Sequence, residues 1–126
     1  MRIISKNKFS YILKPDGSKV WYFLFDEYKL YFCENMPGND DGWHHHEKLW
    51  ETVFVVQGQL TIKWKEQGKI KKKIVREGDL IEMENTPHQL INHTSTITKV
   101  ICIKQILSGK NKRNILKKDK VVDEPR

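Results

Sequence analysis

The stretch GNDDGWHHHEKLWETVFVVQG, residues 38–58, decides how the rest of the chain is read. Side chains along an extended strand point alternately to opposite faces, so His44 and His46 share one face and His45 takes the other. Two imidazoles at positions i and i+2 can chelate one ion at about 2.0–2.2 Å each, which adjacent positions cannot do without distortion. Glu51 follows five residues after His46, an odd offset that would turn it away on an unbroken strand. Residues 47–50 are therefore expected to bend or bulge, bringing Glu51 inward with Val53, Val55 and Gln57 on its face. His88, between Pro87 and Asn92, supplies a further imidazole. Three nitrogens and one carboxylate would then converge inside a barrel.

The surrounding chain reads as strands. Short runs rich in β-branched and aromatic residues recur at 9–14, 20–25, 30–34, 43–47, 51–57, 60–65, 70–76, 80–83, 88–92 and 98–106. Turn signals separate them, including Pro15-Asp16-Gly17-Ser18 and Glu66-Gln67-Gly68, whose glycine can take a positive φ. Residues 98–106 are nearly continuous apolar, as in a strand covered on both sides. Helical periodicity is scarce, and nine or ten strands make an all-β sandwich or barrel.

At 126 residues the chain has the size of one domain, and its 38% hydrophobic and 10% aromatic content suits a folded core. No apolar run approaches the roughly 18 residues of a membrane span, and the start MRIISKNKFS lacks the apolar segment of a secretory signal; a soluble cytoplasmic protein is expected. Cys33 and Cys102 sit apart in apolar runs, which suits buried free thiols rather than a disulfide. The net charge of +7 is concentrated in two places. Lys63, Lys65, Lys69, Lys71, Lys72 and Lys73 partly alternate with Ile62, Trp64, Ile70 and Ile74, as on the wet face of a hairpin. The chain divides into a barrel domain, 1–108, and a short basic C-terminal tail, 109–126, in which residues 114–120 form a short helix or nothing stable. Nucleic-acid binding through this basic tail is the least favoured of three functional readings, because phosphate contacts alone carry no sequence readout.

The spacing of residues 38–58 resembles the first motif of the cupins: a glycine, five residues, His-x-His, four residues, a glutamate, six residues and a glycine, filled by Gly38, His44, His46, Glu51 and Gly58. The second motif is kept in part by Gly78, Pro87, His88 and Asn92, with one residue missing and with Glu84 and Thr86 near the places of its proline and second glycine. The resemblance runs from about Tyr22 to Ile106. It implies a cupin-type jelly-roll β-barrel, the double-stranded β-helix, holding one divalent metal through His44, His46, Glu51 and His88.

Imidazole and carboxylate donors suit Fe, Mn, Ni, Zn or Co, and one glutamate leaves such a site net positive, favouring a small substrate with anionic or vicinal oxygens. The resemblance implies a metal-dependent enzyme, with a dioxygenase first and an isomerase or lyase next; the alternative is a non-catalytic metabolite-binding or sensor protein. Gln57 and Tyr31 are the polar inward-facing candidates for a catalytic role, on strand parity alone. Tyr22, Tyr31, Phe32, Leu60, Ile62, Leu90 and Cys102 are candidate cavity walls, with core packing the simpler reading of each. His45 should face outward, His93 has the wrong parity for a ligand, and Trp43 and Trp50 suit packing better than stacking on a substrate. Asn92 either supports the site or caps a turn. Phe54 and Val56 face away from the histidines, which suits a homodimer, the common habit of small cupins.

Overall fold

The computed structural model describes residues 1–106 and 121–123, and strands dominate them. In chain order these are β1 (Ser10–Leu13), β2 (Lys19–Leu24), β3 (Tyr28–Asn35), β4 (His44–His45), β5 (Trp50–Gln57), β6 (Gln59–Glu66), β7 (Lys69–Arg76), β8 (Leu80–Glu82), β9 (His88–Ile91), β10 (Thr98–Gln105) and β11 (Val121–Val122). They build two antiparallel sheets: a six-stranded one in the order β1-β2-β3-β10-β5-β8, and a five-stranded one in the order β11-β4-β9-β6-β7. This is the all-β architecture expected from the strand runs and the jelly roll implied by the motif resemblance. Among the described residues no helix is long and apolar enough to cross a membrane.

The core lies between the inner faces of the two sheets. Val20, Cys33, Val53, Val55, Val100 and Cys102 project from the six-stranded sheet against Leu60, Ile62 and Val75 of the five-stranded one. Each such side chain removed from water contributes roughly 1.5–3 kcal/mol, and the two-residue period places every one of them on the same side. Both cysteines are free and buried, as expected.

Gly58 is the corner at which the chain leaves β5 and enters β6, crossing from one sheet to the other. Its φ is +86°, and a Cβ there would lie 2.7 Å from Thr98 Oγ1 and 3.1 Å from Thr98 Cα. Thr98, fully buried, donates its hydroxyl to the Gln59 carbonyl at 2.7 Å and so fills the space a side chain would need. Asn92, also fully buried, ties the neighbouring turn: its amide donates to Asn35 O and Thr96 O, while its Oδ1 accepts from Thr94 N and Thr94 Oγ1. It caps turns rather than touching the histidines.

Three sequence expectations are corrected by the fold. Gln57 is exposed rather than inward. Lys99 opposes Gln57 and Val100 opposes Val55, so Val56 is an extra, unpaired residue on β5, and this bulge reverses the alternation beyond it. Phe32 is not a cavity wall; it packs outward, its ring 5.9 Å from that of Trp21. The basic tail is not wholly separate from the barrel, because β11 pairs with β4, Val121 opposite His45 and Val122 opposite His44. The possible helix at 114–120 lies outside the described residues.

The lysine-rich hairpin turns at Gln67 (φ +51°) and Gly68 (φ +73°), and β7 forms an edge of its sheet. Its lysines are solvated, a common protection for an edge strand. The outer face of the six-stranded sheet is different. Paired positions carry one apolar row across all six strands: Tyr11, Trp21, Phe32, Ile101, Phe54 and Leu80.

Candidate metal centre

His44 comes from β4, His46 from the residue after it, Glu51 from β5 and His88 from β9. The first strand is only two residues long, and residues 47–49 bend before β5 begins. That bend makes the odd five-residue offset work: His44, His46 and Glu51 are all buried. Donor atoms of these three residues lie within 4.8 Å of one another, a group able to hold a metal ion. His45 points out, as expected, its Nδ1 2.8 Å from the carboxylate of Asp123. His93 is exposed.

His88 lies beside this group. It pairs with His44 across β4 and β9, the two rings 4.5 Å apart, and its Nε2 lies 3.7 Å from Glu51 Oε1. Glu51 Oε2 is 3.5 Å from His46 Nε2. Two donors bound to one ion at about 2.1 Å stand roughly 3.0–3.4 Å apart, so these spacings are within a few tenths of an ångström of a coordination shell.

Backbone carbonyls fix the imidazoles in the form a metal needs. His44 Nδ1 lies 2.7 Å from the Gly42 carbonyl and His88 Nδ1 lies 2.7 Å from the Thr86 carbonyl. A carbonyl oxygen only accepts, so each Nδ1 carries a proton and each Nε2 is the ring nitrogen left for the site. His88 Nε2 is buried without a hydrogen-bond partner, and it faces a carboxylate oxygen, itself an acceptor. A proton on His88 Nε2, which the facing carboxylate favours, or a metal ion between the two atoms would satisfy both.

The loop before His88 departs from the second cupin motif, and its backbone shows how. Glu84 and Asn85 adopt left-handed φ values of +52° and +59°, where a glycine would be unstrained. Asn85 tolerates this conformation best among side chains with a polar arm, and it uses that arm. Its amide donates to the His46 carbonyl and to the Leu49 carbonyl at 3.1 Å, latching this loop to the bend that delivers Glu51.

Tyr31 does reach the site: its hydroxyl donates to Glu51 Oε2 at 2.8 Å. Lys104 was not foreseen. Its Nζ lies 3.4 Å from the same oxygen, with the side chain 15% exposed. The signal was present in β10, where Thr98, Val100 and Cys102 face inward and Lys104 continues their parity. Burial works against the charge on Glu51, but Lys104 and the neighbouring His46 and His88 outweigh it and hold the carboxyl well below its usual range. Asp41 was missed too: its Oδ2 stands 4.0 Å from His44 Nε2, its Oδ1 accepts from Leu90 N, and burial pushes its carboxyl up to about 6.

A cavity of about 100 Å³ opens beside the cluster, walled by Tyr31, Leu90 and Cys102 as expected, and also by Lys14, Asn35 and Lys104. A second, of about 390 Å³, reaches His88 from Ile62, Trp64, Ile81, Met83 and Thr86. Trp43 lies under the Lys65 ammonium, 4.8 Å from its ring, and is half-buried, as is Trp50; neither borders either cavity.

Lys29 sits beside Lys104 in the β3–β10 register, its Nζ 4.4 Å from the Tyr22 ring centre. Burial first, then Lys104, push its ammonium down from 10.5 to about 8, with Glu51 opposing. The unfolded chain keeps that proton to higher pH, so between about 8 and 10.5 unfolding takes up a proton and stability rises with pH. Lys29→Met should raise the melting temperature at pH 7 and flatten that rise, read from melts at pH 7, 9 and 10. An unchanged slope would remove Lys29 from this account.

The cupin domain family matches residues 31–104, and the chain belongs to that family. Among solved structures it is similar to the vicilin of Corylus avellana (hazelnut), at 20% identity and a TM-score of 0.73, over 84% of this chain and 33% of that one. It is also similar to Drosophila melanogaster CENP-C bound to CAL1, at 18% and 0.70, over 82% and 85%. A recombinant oxalate oxidase in complex with glycolate matches at 18% and 0.67, over 84% and 60%. The chain thus spans a third of the vicilin and well under two thirds of the oxalate oxidase, and likenesses at such identity concern the fold. No curated protein sequence matches it.

Proposed function

We propose that the protein binds one divalent transition metal through His44, His46, Glu51 and His88 and uses it to transform a small oxygenated or anionic metabolite, with an O2-using reaction as the leading subtype. The observation that carries this reading is the convergence of the buried His44, His46 and Glu51 donors within 4.8 Å of one another, with His88 Nε2 3.7 Å from Glu51 Oε1. When bound, the ion would supply Lewis acidity and, if iron, oxygen activation.

The chain's own residues do the rest. The Gly42 and Thr86 carbonyls hold the His44 and His88 rings in register, Tyr31 and Lys104 orient Glu51, and the buried walls limit water. The Tyr31 hydroxyl is the protein proton nearest Glu51, and burial first raises its pKa well above the usual range, so it stays a donor. Gln57 has no place in this chemistry.

The test is oxygen uptake by the iron-loaded protein across catechols, diketones and thiols. Uptake matched by substrate loss supports the enzyme; a ligand bound and recovered intact supports a metabolite-binding protein instead.

We also infer a homodimer through the outer face of the six-stranded sheet. Phe54 is 39% exposed, Leu80 58% and Ile101 37%, and a contiguous apolar row of this kind marks an association surface. Sheets stack face to face at about 10 Å, which two copies of this row could do.

A further inference from the structure

We infer that Lys104 is the carboxylate-binding arm of the proposed metal centre, so that the ligand is a small carboxylate shared between the ion and this lysine. The inference rests on the metal reading given above and adds the ligand class and the residue that selects it.

Lys104 is placed for this by both of its neighbours. On one side β10 sets it opposite Glu51, on the other opposite Lys29. Its Nζ lies 3.4 Å from Glu51 Oε2 and 5.1 Å from the centre of the Tyr31 ring, and it borders the 100 Å³ cavity. Lys29 Nζ lies on the same ring, 5.5 Å from its centre, and Lys14 borders the same cavity. Two lysines thus border one small space, with Lys29 behind the Tyr31 ring.

Charge balance then restricts the ligand. Glu51 and the buried Asp41 on the same cavity wall can offset the two charges on a divalent ion, and Lys104 and Lys14 then leave the space net positive. A partly buried excess of positive charge is costly unless an anion enters with it. Lys104 is satisfied by Glu51 in the present arrangement, but Glu51 would turn its lone pairs to an ion, freeing an ammonium donor at the cavity wall. A carboxylate is the group that can bridge: one oxygen to the ion and another to an ammonium, in a charge-assisted hydrogen bond. At about 100 Å³ the cavity suits a small ligand.

The test compares wild type, Lys104→Met and Lys104→Arg, each loaded with nickel and its metal content measured first. Two probes are titrated calorimetrically: malonate, a small dicarboxylate, and imidazole, a neutral ligand that reaches the ion without a carboxylate. Malonate should bind at least about tenfold more weakly to Lys104→Met and be largely restored in Lys104→Arg, while imidazole changes by less than about twofold. Equal malonate affinity in wild type and Lys104→Met overturns the inference and leaves Lys104 as a partner of Glu51 only. Parallel losses of both probes overturn it as well, since the lysine would then act on the ion and not the carboxylate. A wild type that takes up no nickel removes the metal reading itself, and the inference with it.

Discussion

Replacing His46 with alanine should strip the protein of metal. Purified without chelator or affinity tag, the wild type should carry close to one equivalent of a transition metal by elemental analysis, and the variant almost none. Loss of a group that merely orients a ligand weakens metal affinity about 10–100-fold, so loss of a ligand should exceed about 100-fold. The neighbouring His45→Ala is the matched control. His45 faces Asp123 across the β4–β11 pair, and its removal should loosen that edge while leaving the metal in place. Equal metal in wild type and His46→Ala, with both folded by circular dichroism, would refute the centre.

Gly58→Ala should be strongly destabilising for the addition of a single methyl group. A positive φ costs a non-glycine residue roughly 1–2 kcal/mol, and forcing a side chain into a filled space costs roughly 1–3 more. Here the obstruction includes backbone, Thr98 Cα at 3.1 Å and Ile97 O at 3.3 Å, so no rotamer change relieves it. The sum of about 3 kcal/mol should lower the melting temperature by roughly 10 °C. Gly68→Ala separates the two causes: its φ is +73°, but nothing lies within 4 Å of a Cβ, so only the backbone cost of about 1 kcal/mol remains. If both variants melt alike, the close approach at the Gly58 corner is not what requires a glycine there.

Periodicity carried most of this molecule. The alternation of His44 and His46, the inward run of Val53 and Val55, and the turn at Gly68 are all local patterns with a two-residue period or a single permitted backbone conformation, and each is read directly from residue order. The bend that rescues Glu51 was legible because parity demanded it. Gln57 failed for the same physical reason in reverse: a bulge at Val56 inverts parity, and nothing about Val56 as a residue announces an unpaired position. Asn85 shows a third situation, in which a backbone conformation usually given to glycine is kept by a residue whose side chain holds the bend behind Glu51. Lys104 and Asp41 were passed over because a charged residue in a strand or loop is read as solvated unless its neighbours' parity is followed to the end. The pairing of β11 with β4 lies beyond any local pattern, since two valines carry no register.

The donors of the centre belong to different layers: His44 and His88 to the five-stranded sheet, Glu51 to the six-stranded one. Any ion held there would be a reversible crosslink across the sandwich, closing a loop of nearly 40 residues between Glu51 and His88 much as a covalent bridge does. The donors meet only when the two sheets have closed on each other, so an ion would recognise the finished barrel and not the unfolded chain. Occupancy and resistance to unfolding are then one linked quantity, rising with the logarithm of free metal. A cell that rations the metal would thereby set the lifetime of the protein along with its chemistry.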